Sequence, residues 1–166
     1  MKLKQLTFDA LLTAIALTIF MIEAQIPAPI PIPGIKLGLA NIITVFAMFA
    51  FTPKDALMIL VVRVFLGGVF SGQISTLLYS MAGGLLCFCV MLLLRRILTD
   101  SQLWIASVVG AMFHNIGQII VAIIVTGTPG IVVYLPVLMV SGIIAGLFTG
   151  LCTQFLYGKL KRYGAI

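Results

Sequence analysis

Apolar residues form long runs in the sequence, and only short groups of proline, glycine or charged residues interrupt them. The runs cover approximately residues 7–26, 37–52, 55–72, 75–98, 103–126 and 131–157. Because a helix needs about 20 apolar residues to cross a bilayer, this pattern predicts an all-α, polytopic membrane protein with about six transmembrane helices. The second and third runs are short for a full crossing. We expect all six helices to form a single transmembrane domain over residues 1–166.

The boundary between the second and third runs carries a strong turn signal, Thr52-Pro53-Lys54-Asp55. Proline removes a backbone donor and disfavours helix in the residue before it, so one helix should end and the next begin here. The connection between the first two runs has proline at 27, 29, 31 and 33, which favours an extended, polyproline-like path. This stiff strap either lies over the outer mouth of the protein or is a simple connector.

Composition agrees with a membrane protein, since 62% of the residues are hydrophobic and only 8% are charged. A soluble domain carries roughly a quarter charged residues. The net charge of +6 could suggest nucleic acid, but that function requires one basic, water-facing patch. Here the basic residues lie at helix ends, which argues against a nucleic-acid partner.

The basic residues also predict an orientation, because short cytoplasmic loops are enriched in lysine and arginine. They fall at alternate ends of the runs, at Lys2, Lys4, Lys54, Arg95, Arg96, Lys159, Lys161 and Arg162. The loops near 72–75 and 127–130 have no basic residue. We therefore expect a protein of the cell membrane with both termini in the cytoplasm. Lys36 and Arg63 do not fit this pattern and need a separate explanation.

Arg63 is the most informative of the polar residues, because it lies midway in an otherwise apolar run. A charged side chain at the bilayer centre costs from about 3 kcal/mol to more than 10 kcal/mol, so such residues usually face a cavity or a partner. The alternative is a purely structural pair with Glu23. His114, Asn115 and Gln118 interrupt the fifth run, with His114 and Gln118 one helical turn apart. They either bridge helices by hydrogen bonds or line a site, and three together favour a site.

The direction of each run gives the depth of these polar residues. Glu23 ends the first run, Lys36 and Asn41 begin the second, and Tyr79 and Ser80 begin the fourth, so all should lie toward the outside, whereas Arg63 and His114 should lie near mid-depth. We therefore predict a substrate-binding pocket that opens outward and is lined by Glu23, Lys36, Asn41, Arg63, Tyr79, His114, Asn115 and Gln118. Two cationic groups against one carboxylate favour a substrate with an anionic group, although Glu23 could neutralise one of them.

The sequence gives little support for ATP binding, metal binding or catalysis. It contains no Gly-x-x-x-x-Gly-Lys-Ser/Thr loop for ATP phosphates. Its four acidic residues are far apart, and one histidine with three scattered cysteines does not suggest zinc. We therefore expect no enzyme activity, no metal and no cofactor, and any energy for transport must come from a partner.

Small residues repeat at four-residue spacing, which lets helices approach closely. Gly142, Gly146 and Gly150 are expected to pack within the bundle, whereas Ala10 and Ala14, near the cytoplasmic end of the first helix, could contact a partner helix.

Four strings together resemble the Gx transporter family, which is also labelled heptaprenyl diphosphate synthase component I. They are Pro31-Ile-Pro-Gly-Ile-Lys-Leu-Gly-Leu-Ala-Asn41, Arg63 with Phe65-Leu-Gly-Gly68, Tyr79-Ser-Met-Ala-Gly-Gly84, and His114-Asn-Ile-Gly-Gln118. The resemblance covers nearly the full chain. It implies a bundle like that of the S components of energy-coupling factor (ECF) transporters, which capture a vitamin-like or other small molecule outside the cell.

In that wider group the S component docks, through small residues on its first helix, with a transmembrane coupling protein and two ATPases. Ala10 and Ala14 match this alanine pattern. The resemblance also leaves open an accessory role in isoprenoid or quinone metabolism, with a prenylated or quinone-related ligand. Nothing in the sequence resembles a prenyl-transferring acid cluster, so the synthase label has less weight.

Overall fold

The computed structural model describes residues 3–25, 38–72 and 74–164. In these residues every regular element is helical. The described residues form six α-helices, α1 (Leu3–Glu23), α2 (Asn41–Ala50), α3 (Pro53–Ser71), α4 (Ile74–Leu94), α5 (Leu103–Thr126) and α6 (Leu135–Arg162). Short 3₁₀ turns, Asp100–Gln102 and Pro129–Tyr134, precede α5 and α6. The predicted all-α class and the six helices are confirmed.

Four helical segments of the described chain are long and apolar enough to cross a membrane: Gln5–Glu23, Ile74–Leu94, Asp100–Thr126 and Pro129–Arg162. The 19 residues of α3 give enough length, but they include Lys54, Asp55 and Arg63. With ten residues, α2 reaches only about 15 Å, roughly half of the hydrocarbon core. The second predicted run, 37–52, therefore contains a half-length helix rather than a full span.

The turn between α2 and α3 has the structure that its sequence predicts. Thr52 caps α3: its hydroxyl accepts from the Asp55 backbone N–H at 3.3 Å, and the Asp55 carboxylate accepts from the Thr52 N–H at 3.1 Å. Pro53 occupies the first turn, where its missing donor costs nothing. Gln5 of α1 also donates to the Asp55 carboxylate, at 2.8 Å, and so ties the beginning of α1 to this turn.

Helix α5 lies between α4 and α6 and contacts both extensively. Glycines allow the backbone of α5 to come close to the backbones of α4 and α6. A Cβ on Gly117 would lie 2.8 Å from the Gly83 Cα of α4, and one on Gly150 would lie 2.6 Å from the Trp104 Cα of α5. Gly146 is equally close to Val108. The predicted packing role of the glycines on α6 is thus confirmed.

The outer surface of the bundle is apolar. Large side chains such as Phe70, Ile124 and Phe148 are each more than 60% exposed. A water-soluble protein rarely exposes so much contiguous apolar surface, whereas lipid chains solvate it well. The surface therefore agrees with the four long apolar helices in indicating a membrane protein.

Candidate functional site

Arg63 lies in the middle of α3 and is only 3% exposed. Its Nη2 donates to Oδ1 of Asn41, the first residue of α2, at 2.5 Å. The Arg63 Nε has no hydrogen-bond partner among the described residues. A guanidinium has five N–H donors, so the bond to Asn41 uses only a part of its capacity.

Glu23, the last residue of α1, faces the beginning of α2. Its Oε1 accepts from the Gly38 N–H at 2.5 Å, and its Oε2 is 3.4 Å from the Ala40 N–H. Backbone N–H groups at the beginning of a helix carry partial positive charge and favour an anion. Glu23 also interacts electrostatically with Arg63. The carboxylate is therefore held by backbone donors and by the charge of Arg63 together.

These groups line one small cavity. Its walls come from the ends of α1 and α2 and from the middle of α3, α4 and α5, at Phe20, Glu23, Gly38, Asn41, Arg63, Ser80 and His114. The enclosed space is about 10 Å³, which is close to the space that one water molecule needs. Four of the eight predicted site residues, Glu23, Asn41, Arg63 and His114, thus lie together around it. A larger ligand could enter only if the lining side chains moved apart.

Three other predicted residues are described, and none of them lines this cavity. Tyr79 packs in an apolar cluster with Ile119, Ala122, Ile131 and Leu138. Asn115 donates to the Leu138 carbonyl at 2.6 Å and so joins α5 to α6. Gln118 is fully buried beside Gly83, and neither its amide nitrogen nor its amide oxygen has a partner in the described chain. Lys36 and the proline strap lie outside the described residues.

A family model named heptaprenyl diphosphate synthase component I matches residues 12–156. The match includes the cavity and nearly all of the six helices. The chain belongs to this family. Comparison with curated proteins finds no match, and neither does comparison with solved structures. The family name describes a component of a synthase and assigns no catalytic role to any residue of the chain.

Two residues that line the cavity were not singled out from the sequence, namely Phe20 and Gly38. Gly38 has φ +82°, a conformation that other residues rarely adopt. A Cβ there would lie 2.9 Å from the Asn41 Nδ2 and 3.4 Å from the His114 Nε2. The signal available in the sequence was a glycine three residues before the first polar residue of the second run.

The described residues contain no group of three or more His, Cys, Asp and Glu side chains that could hold a metal ion. Ala10 and Ala14, the predicted docking residues, are both exposed on α1. Their small side chains lie in a groove between α1 and α3.

Gly38→Ala is expected to destabilise the protein by about 2 kcal/mol. About half of this cost comes from the positive φ, and the rest from the methyl group that meets Asn41 and His114. Gly127→Ala is the matched control, because Gly127 has φ +63° but open space around it. Chemical unfolding in detergent should show a clearly larger loss for Gly38→Ala. Equal losses for the two variants would mean that the cavity tolerates the methyl group.

Proposed function

We propose that the protein captures a small molecule from outside the cell, as the S subunit of an ECF-type, ATP-driven importer. The observation that carries this proposal is the polar cavity around Arg63, built from five helices of an otherwise apolar bundle. A buried charge is costly in a membrane protein, and intramembrane ionisable residues usually serve a substrate or ion.

The chemistry of the cavity favours a substrate with an anionic group. The guanidinium of Arg63 is suited to two parallel hydrogen bonds with a carboxylate or phosphate. Glu23 offsets part of this charge, and its own hydrogen bonds to the backbone before α2 hold it in place. Because the enclosed space is only about 10 Å³, the proposal requires the lining side chains to separate when substrate binds.

The energy source is proposed to lie in partner proteins. The sequence has no phosphate-binding loop of its own. An importer of this type would supply a transmembrane coupling protein and two ATPases. In the proposed orientation both termini are cytoplasmic, so Ala10 and Ala14 of α1 would lie near the side on which the ATPases work. The cell membrane is the corresponding location.

Purification of the full-length protein from its native membrane tests the proposal. We expect native mass spectrometry to find a retained small molecule with an anionic group, and we expect ATPase subunits and a transmembrane partner to co-purify. A protein that retains no small molecule and associates with no ATPase would contradict the importer function.

The family name supports a second candidate, an accessory component in isoprenoid or quinone metabolism. In that case the protein would have no catalytic residues of its own and would bind a prenylated or quinone-related ligand. Membranes that contain the protein should then show a higher prenyl synthase activity than membranes without it. Equal activities would remove this candidate.

A further inference from the structure

The last turns of α6 carry an open groove along one face of the helix. Its lining residues recur three and four positions apart, the spacing of side chains on one helical face, and they are Leu151, Gln154, Phe155, Gly158, Lys159 and Arg162. The volume of the groove is about 390 Å³. All of its lining residues except Gln154 are exposed. The groove therefore lies on the outer surface of the bundle, where the surrounding membrane can reach it.

The groove crosses the level at which the hydrocarbon of a membrane ends. Helix α6 has 28 residues and is about 42 Å long, whereas the hydrocarbon core is about 30 Å thick. When α6 enters the core at Leu135, the core ends near Phe155, about 30 Å along the helix. Lys159 then lies roughly 6 Å further, at the level of the lipid headgroups. One half of the groove thus faces acyl chains and the other half faces phosphates.

Lys159 and Arg162 supply two positive charges that the described part of the chain does not neutralise. Lys161, which lies between them in sequence, is paired with Asp100. The side chains of Lys159 and Arg162 form no ion pair and no hydrogen bond with the described residues. The Lys159 Nζ lies 5.4 Å from the centre of the Phe155 ring, within range of a cation–π interaction. This contact places the ammonium group beside the apolar part of the groove.

Gly158 lies in the middle of the groove, and neither packing nor the backbone requires a glycine there. Glycine is less favourable than alanine inside a helix, because it loses more conformational freedom on folding. The other glycines of α6, Gly142, Gly146 and Gly150, allow close contact with α5. By contrast, a Cβ on Gly158 would meet nothing within 4 Å, and its φ is not positive. The missing side chain instead leaves a notch in the helix surface beside the two basic residues.

We infer that this groove binds an anionic phospholipid, whose phosphate lies between Lys159 and Arg162 and whose acyl chain packs on Leu151 and Phe155. The guanidinium of Arg162 can form two parallel hydrogen bonds with phosphate oxygens, and the Lys159 ammonium adds a second charge. Basic pockets of membrane proteins bind anionic headgroups in this manner. A zwitterionic phospholipid fits less well, because its own cation would meet the two basic side chains.

Three other occupants fit the groove less well. A second copy of the chain that docks through the same face would bring the basic residues of both copies together, and like charges oppose such contact. Inorganic phosphate would match the charge but would leave Leu151 and Phe155 uncovered. An acidic protein segment would have to displace the lipids that already surround the helix at this level. An anionic phospholipid matches the charge and the apolar surface at once.

Native mass spectrometry of the delipidated full-length protein tests the inference. The protein in detergent is titrated with phosphatidylglycerol or with phosphatidylcholine, and the fraction that carries one lipid gives each dissociation constant. The first phosphatidylglycerol should bind about tenfold more tightly than the first phosphatidylcholine. An equal concentration of inorganic phosphate or of an acidic peptide should not displace it. Equal binding of the two lipids would overturn the inference.

Two variants separate the charge of the groove from its shape. The double variant Lys159→Gln, Arg162→Gln should lose the preference for phosphatidylglycerol. Gly158→Leu should lose it too, although both charges remain, because the leucine side chain fills the notch. This variant should fold, since a Cβ has open space there and leucine favours a helix more than glycine does. Arg96→Gln is the matched control: it removes an exposed charge from the α4–α5 connection, outside the groove, and should keep the tenfold preference.

Several results would overturn the inference. A preference that survives in the double variant or in Gly158→Leu would place the lipid elsewhere. Displacement by inorganic phosphate or by the acidic peptide would assign the groove to a soluble anion or to an acidic protein segment. A lipid-free dimer that phosphatidylglycerol dissociates would assign it to a second copy of the chain. The inference does not rest on the proposed importer function, because it concerns a different surface and a different ligand.

Discussion

Arg63→Ala is expected to weaken substrate capture by at least about 30-fold, while the folded and membrane-inserted fraction stays largely unchanged. Truncating one partner of a buried, hydrogen-bonded charge pair costs about 2–5 kcal/mol, which corresponds to this loss or more. The fold should survive, because Asn41 loses a single hydrogen bond and Glu23 keeps its bonds to the backbone of Gly38 and Ala40.

The measurement is the amount of small molecule that the purified variant retains in native mass spectrometry, together with its melting temperature in detergent. Arg95→Ala is the control. Arg95 directly follows α4 and, like Arg63, donates a side-chain hydrogen bond, to the Phe51 carbonyl at 3.2 Å, but it does not line the cavity. Its loss should leave capture unchanged. If Arg63→Ala loses folding and capture to the same extent, Arg63 is a structural partner of Asn41 and Glu23 and not a ligand of the substrate.

The sequence predicted the helices well because two signals are local. Apolar runs of sufficient length predict membrane helices, and Thr52-Pro53-Lys54-Asp55 predicts a helix boundary through its capping and proline chemistry. The length of α2 was not predictable in this way. Gly38 adopts a positive φ and α2 begins only at Asn41, although the apolar run itself continues through both residues. Hydrophobicity does not distinguish a helical turn from an apolar loop.

The sequence predicted where along each helix the site residues lie, but it did not predict which face of the helix carries them. Neighbouring residues on an α-helix point about 100° apart. Ser80 therefore faces the cavity, while Tyr79, one residue earlier and at nearly the same depth, packs against α5 and α6. His114 and Asn115 divide in the same manner, one toward the cavity and the other toward the Leu138 carbonyl. The neighbours of a helix are set by packing between distant parts of the chain, which the order of the residues alone does not give.

Replacing Gln118 is expected to have opposite effects on the stability of the fold and on substrate capture. Gln118→Met is expected to stabilise the protein by about 1–3 kcal/mol, because a similar apolar side chain replaces a fully buried amide that has no partner in the described chain. Capture should weaken by about tenfold, because the amide is the polar group one turn from His114 and is proposed to contact the substrate once the cavity opens. Melting temperature and retained small molecule measure the two effects.

Asn115→Leu is the matched control for Gln118→Met, since it also removes a buried amide from α5. Here the amide does have a partner, the Leu138 carbonyl, so this variant should lower the melting temperature. A stability gain in Gln118→Met without any loss of capture would exclude Gln118 from the site. A loss of stability would show that its amide is bonded in the folded protein. A buried amide that destabilises the fold and is needed for binding would extend the candidate site from Arg63 through His114 to the α4–α5 contact at Gly83.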